Sequence, residues 1–170
     1  MENIKNNVLA LVGMTGCGKS SVGRLLAKKL GAGLVDIDDE IVARYGAIKE
    51  IFAKQGEEAF RRIERDTLAE IVAEADGELL ILSCGGGLVT YGPSRDLLCD
   101  TATVVWLRRS AQSVASDPNV LLRPPINGDI NNYKRLLKLR YPIYRSVADH
   151  SFYNAFPQRT AANIIKKLFS

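Results

Sequence analysis

Gly13-Met14-Thr15-Gly16-Cys17-Gly18-Lys19-Ser20 gathers the parts of a polyphosphate cradle into one short stretch of chain. Closely spaced glycines let successive backbone N–H groups turn inward around phosphate oxygens. A helix that starts directly after such a loop adds its positive dipole end. In the spacing G-x-x-x-x-G-K-[ST], the lysine reaches the β- and γ-phosphates and the hydroxyl ligates Mg²⁺. The stretch therefore points to a nucleoside triphosphate, with Gly13, Gly16, Cys17, Gly18, Lys19 and Ser20 around it. Cys17 reads as a small residue tolerated by the loop rather than a nucleophile. Further along stand two carboxylates, Asp36 and Asp38, a run of glycines at 85–87, and arginines at 61, 123 and 140.

The flanking sequence supplies elements to position these groups. Val8–Val12 is a short, continuous apolar run, as a buried parallel strand requires. Val22, Leu25, Leu26 and Leu30 recur at helical spacing, and Gly31 stands where a helix C-cap belongs. Leu34-Val35 leads into Asp36-Ile37-Asp38, read as a strand ending in carboxylates. Helical patterning resumes over Asp39–Tyr45 and again along Phe60, Ile63, Leu68, Ile71, Val72 and Ala75. Two more buried strands are predicted at Leu79–Leu82 and Thr103–Leu107, with a short helix between them. Helices over about Asn132–Val147 and Thr160–Phe169 complete the count. Alternating strands and helices imply a three-layer α/β fold, a parallel sheet with helices on both faces. Ligands then collect at the carboxyl ends of the strands, where Gly13, Asp36 and Gly85 all fall. The region 117–131 holds three of the six prolines and shows no clean period, so it is predicted to be a mobile lid.

Composition narrows the class. The chain has 170 residues, 46% hydrophobic and 25% charged, which suits one globular domain with a proper core. No apolar run approaches the roughly 20 residues needed to cross a bilayer. Met1–Asn7 is polar and mixed in charge, unlike a secretory signal. The net charge of +4 is modest and its basic residues are scattered, which suits a small acidic ligand better than nucleic acid. Cysteines at 17, 84 and 99 form no C-x-x-C pair, so reduced thiols in a cytoplasmic protein are expected. Neither the guanine-reading NKxD string nor a DxxG switch occurs, and neither Leu79–Leu82 nor Thr103–Leu107 ends in a magnesium-binding acid. A small-molecule phosphotransferase is the natural inference.

The ordered set of motifs resembles shikimate kinase, in the nucleoside-monophosphate-kinase-like group of P-loop kinases. It comprises GxxGxGKS at 13–20, DxD at 36–38, FRxxE at 60–64, GGG at 85–87, RP at 123–124 and RxPxY at 140–144, and spans nearly the whole chain. The resemblance implies one P-loop kinase domain over 1–170, with an acceptor-binding region over about 38–65 and the lid at about 117–131. It implies ATP and Mg²⁺, and transfer of a phosphoryl group to the 3-hydroxyl of shikimate in aromatic amino acid biosynthesis. It further implies carboxylate binding by Arg61 and Arg140, hydroxyl orientation by Asp38, and close backbone approach by Gly85, Gly86 and Gly87. Ser20 and Asp36 would serve the metal, Ser21 and Arg159 the nucleotide, and Lys19, Asp38 and Arg123 the catalysis. The expected partner is the small-molecule substrate, without nucleic acid or membrane, and the expected state is a monomer.

Other readings stay open on the residues alone. Arg61 has Glu57 and Glu64 at i−4 and i+3 on a helix, and Asp38 could cap the helix that follows it. A kinase of another polyol acid such as gluconate, or a non-catalytic ATP-binding paralogue, would share much of the pattern. Two departures from the family pattern stand out. Pro125 follows Pro124 in the lid, and no arginine occurs in Ser113–Pro118, where the family carries one over the adenine. The adenine-side segment is matched only loosely, by Phe156-Pro157-Gln158-Arg159.

Overall fold

The computed structural model describes residues 3–117, 120, 126 and 128–170. Five strands, β1 (Val8–Val12), β2 (Gly33–Asp36), β3 (Leu80–Ser83), β4 (Thr103–Arg108) and β5 (His150–Tyr153), form one sheet in the order β2-β3-β1-β4-β5. Every pairing is parallel, with Val8 opposite Leu80, Leu9 opposite Thr103, Gly33 opposite Leu80 and Val105 opposite His150. All the carboxyl ends therefore share one edge.

Seven helices flank the sheet among the described residues: α1 (Lys19–Leu30), α2 (Ile37–Tyr45), α3 (Ile48–Glu74), α4 (Gly92–Thr101), α5 (Ala111–Ala115), α6 (Ile130–Val147) and α7 (Pro157–Leu168). The alternation of β1 explains the layering. Val8, Ala10 and Val12 point into a core with Ile37, Ile41, Phe60, Leu68 and Tyr144 from α2, α3 and α6. Leu9 and Leu11 point the other way, onto Val22 and Leu26 of α1 and Ala161, Ile164 and Leu168 of α7. No residue of β1 is more than 1% exposed, so both faces are covered. A fully buried leucine in such a position contributes about 1.5–3 kcal/mol. That is why the phosphate-binding loop hangs from a rigid strand.

Several details differ from the sequence expectation. β2 stops at Asp36, whose carboxylate accepts the Asp38 N–H (3.2 Å) and caps α2. Asp38 thus sits in the first turn of α2 rather than at a strand end, and the capping role falls to Asp36. α3 starts earlier, at Ile48, and is broken at Gly56 (φ +82°), where the chain swings onto the long segment carrying Arg61 and Glu64. β5 and α5 were not expected: β5 is an edge strand whose HSFY sequence is only half-buried, and α5 is a single five-residue turn-and-a-half. α6 begins at Ile130, two residues before the predicted start. Most of the predicted lid, Arg123 included, lies outside the described residues.

Candidate active site

The phosphate-binding loop leaves β1 with Gly13, Gly16 and Gly18 at φ +145°, +76° and +95°. Those backbone angles are strained for any residue with a Cβ. Gly18 has a second reason to be glycine, since a Cβ there would lie 2.3 Å from Asn154 Nδ2. α1 begins at Lys19 with Gly18 as its cap, no side chain covering its end and no acid in its first turn. Its N-terminal N–H groups are therefore left to an anion. Lys19 is 9% exposed, and its Nζ donates to the carbonyls of Gly13 (2.9 Å) and Met14 (3.0 Å). Asn154, one residue past β5, holds the loop from outside by donating to the Cys17 carbonyl (2.7 Å).

Beside the loop, the Ser20 hydroxyl donates to Asp36 Oδ2 (2.7 Å) and lies 3.4 Å from Ser83 Oγ. The register explains the grouping, because Asp36 and Ser83 are partners at the ends of β2 and β3. A cavity of about 250 Å³ opens here, lined among others by Gly16, Lys19, Ser21, Asp36, Asp38 and Gly86. Burial, reinforced by the charge of Asp36, raises the Asp38 carboxyl above its ordinary value. Cys84 also borders the cavity, but burial pushes its thiol up, so it packs rather than reacts.

The glycine run after β3 is where distant elements converge. A Cβ on Gly85 would stand 2.5 Å from Glu64 Oε1 and 2.8 Å from Asp38 Oδ1, so both carboxylates close on that one backbone point. A Cβ on Gly87 would stand 2.3 Å from Arg61 Nη2. The Gly86 carbonyl accepts from Arg140 Nη1 (3.2 Å) and the Tyr144 hydroxyl (2.5 Å), both on α6. Arg61 donates to Glu64 (2.6 Å) and Glu57 (3.1 Å), while its buried Nε has no partner among the described residues. Both readings of Arg61 therefore hold together: it is ion-paired on its own helix and stands at the glycine run. Glu64 is 1% exposed, and burial raises its carboxyl to about 7 against the opposing charge and hydrogen bond of Arg61.

Of the residues singled out in the sequence, the structure brings Lys19, Ser20, Ser21, Asp36, Asp38, Arg61, Arg140 and the three glycines 85–87 to one sheet edge. Arg159 stands exposed on the first turn of α7 and does not line the cavity. Arg123 lies outside the described residues. Asn154, Tyr144 and Arg109 were missed as contributors. The strand-end rule could have found two of them, because Arg109 follows β4 and Asn154 follows β5.

The chain matches the shikimate kinase family model over residues 15–169. Shikimate kinase of Mycobacterium tuberculosis is 44% identical over 142 residues, covering 81% of this chain and 78% of that protein. Among solved structures, shikimate kinase from Acinetobacter baumannii in complex with shikimate superposes with a TM-score of 0.86 at 32% identity, covering 98% of this chain and 93% of that one. Shikimate kinase from Aquifex aeolicus follows at TM-score 0.78 and 26% identity, over 94% of both chains.

Proposed function

The chain belongs to the shikimate kinase family, and on that premise we propose how its own residues carry a phosphoryl group from ATP to the 3-hydroxyl of shikimate. The observation that carries the reading is Gly86. It lines the phosphate-loop cavity and is also the point on which Arg140 and Tyr144 close, so donor and acceptor sites share one backbone residue.

Phosphoryl transfer passes through a loosely bonded transition state, so positioning and charge neutralisation supply most of the catalysis. Backbone N–H groups of 13–20 and the start of α1 surround the β-phosphate. Lys19 exchanges its two loop carbonyls for phosphate oxygens and follows the charge as it develops. Arg61 and Arg140 hold the ring carboxylate through charge-assisted hydrogen bonds, which a guanidinium makes in pairs. Arg61 arrives already oriented by Glu64 and Glu57 and keeps its Nε–H to give. Asp38 accepts from the attacking hydroxyl and aims it at the γ-phosphorus. Its raised pKa makes it a better proton acceptor than an ordinary aspartate. Arg123 is the lid cation of this reading.

The hydroxyl of Ser20 and the carboxylate of Asp36 form the hard oxygen pair that Mg²⁺ prefers. These two residues would hold Mg²⁺, which would supply neutralisation of the phosphate charge. Cys17, Cys84 and Cys99 are all free thiols, which supports a reducing, cytoplasmic setting. No described helix is long and apolar enough to cross a membrane. The test is ADP release with shikimate and gluconate as alternative acceptors. Turnover with shikimate and none with gluconate is expected, and the reverse would reassign the acceptor site.

A further inference from the structure

Arg109 stands one residue past β4, and its Nη1 donates to the Gly16 carbonyl at 2.9 Å. Its guanidinium lies 3.8 Å from Asp117 Oδ2, a distance at which an ion pair is weak, and borders the same cavity as the phosphate-binding loop. Its side chain is 26% exposed, so the group sits at the mouth of the cavity rather than on the open surface.

Tying down a loop carbonyl does not need a charge. Asn154 does the same for the neighbouring Cys17 carbonyl with a neutral amide at 2.7 Å. A guanidinium has five N–H donors, and the Gly16 carbonyl takes one of them. The charge count of the cavity gives the rest a use. Among the described residues its charged lining is Lys19, Arg24 and Arg109 against Asp36, Asp38 and Asp117, so three cations there face three anions before any polyphosphate arrives. Lys19 is spent on its own loop until that moment. The sequence also carries no arginine in Ser113–Pro118.

We propose that Arg109 is a nucleotide-binding residue, held at the loop mouth by the Gly16 carbonyl and Asp117 and giving its remaining N–H donors to the phosphate chain of the bound nucleoside triphosphate or diphosphate. The Gly16 contact fixes the side chain in advance, so little rotamer freedom is lost on binding. The proposal rests on the kinase reading of the site and adds a residue that the family motifs do not include.

The experiment is calorimetric titration of ADP with Mg²⁺, and separately of shikimate, into the wild type, Arg109→Gln and Arg109→Lys, with the melting temperature of each unliganded protein. Glutamine keeps an N–H for the Gly16 carbonyl and removes the charge. Loss of a charge-assisted hydrogen bond predicts ADP affinity about 10- to 100-fold weaker in Arg109→Gln. Recovery of most of that loss in Arg109→Lys, with shikimate affinity and melting temperature unchanged in both, completes the expected pattern. Wild-type ADP affinity in Arg109→Gln overturns the proposal. So does a joint loss of ADP affinity, shikimate affinity and melting temperature that lysine does not repair, which would make Arg109 a structural latch. A wild type that binds no ADP would bring down the nucleotide reading itself, a failure visible without any variant.

Discussion

The donor side and the acceptor side of this active site are built in opposite ways. On the donor side, eight consecutive residues from Gly13 to Ser20 fold back on themselves, and main chain and Lys19 form the centre of the cradle, with Ser20, Asn154 and Arg109 at its edges. On the acceptor side, Asp38 of α2, Arg61 and Glu64 of α3, Gly85–Gly87 after β3, and Arg140 and Tyr144 of α6 meet across more than a hundred residues of chain. The donor side reads charge through backbone dipoles, which no side-chain substitution outside the glycines removes. The acceptor side reads it through buried ionisable groups that depend on one another. Generality belongs to the first arrangement and selectivity to the second, because a ring acid is distinguished only by where its few polar groups fall.

The largest effect is expected on the donor side, at Lys19. Lys19→Ala should lower kcat by about 10³-fold or more, because its charge is needed at the transferring group. ADP release in a coupled assay measures this, and near wild-type turnover would break the assignment of the loop.

On the acceptor side, Arg61→Ala and Arg140→Ala should each weaken shikimate binding much more than ADP binding. Losing one member of a desolvated charge pair costs about 2–5 kcal/mol, or roughly 30- to 5,000-fold in affinity. The structure separates the two variants further. Arg61→Ala leaves Glu64 buried without its cation and should also lower the melting temperature, whereas half-buried Arg140 gives up its bond to the Gly86 carbonyl and lesser interactions with Glu64 and Tyr144. Equal melting temperatures would mean that Arg61 and Glu64 are not interdependent.

This contrast also decides what could be read from sequence. The loop is contiguous and flanked by an apolar strand and an amphipathic helix, so its chemistry and its place in the fold follow from local pattern alone. The strand-end rule placed Asp36 and Gly85 correctly. It missed Asn154, because β5 is a half-buried edge strand without a continuous apolar run, and Arg109, which lies just past the end of β4, where the rule was not applied. Arg61 was ambiguous for a physical reason. Spacing on a helix predicts its partners Glu57 and Glu64, but the approach of Gly87 to its guanidinium is a tertiary fact. Only the family resemblance pointed to it. Sequence pattern puts Asp38 at a strand end because nothing in Asp36-Ile37-Asp38 says which aspartate turns the chain. The capping hydrogen bond of Asp36 settles that.

A smaller effect is expected from Gly87→Ala. The added methyl would stand 2.3, 2.6 and 2.7 Å from Nη2, Nη1 and Cζ of Arg61, so the guanidinium must move while Glu64 and Glu57 hold it. Displacing a substrate-binding cation by about an ångström predicts a KM for shikimate raised about 10-fold or more, with the KM for ATP unchanged. An equal rise in both constants would mean that Gly87, like Gly86, bears on the donor side as well.

The last prediction concerns proton binding rather than turnover. Burial raises Glu64 from 4.5 to about 7, and the charge and hydrogen bond of Arg61 only partly oppose this. Between those values the folded protein keeps a proton that the unfolded chain has released. The stabilising contribution is therefore complete below the unfolded value and is lost as pH rises through about 7. Linkage turns the displacement into about 3 kcal/mol, or roughly 6–12 °C in Tm for a chain of this size. The wild-type Tm should accordingly fall more steeply between pH 5 and 8 than that of Glu64→Gln, which has no proton to lose. Parallel Tm–pH curves would show that Arg61 holds Glu64 ionised throughout. The acceptor side would then carry a fixed ion pair, as preset as the backbone of the phosphate loop, and the contrast between the two sides would narrow to the number of elements each one draws on.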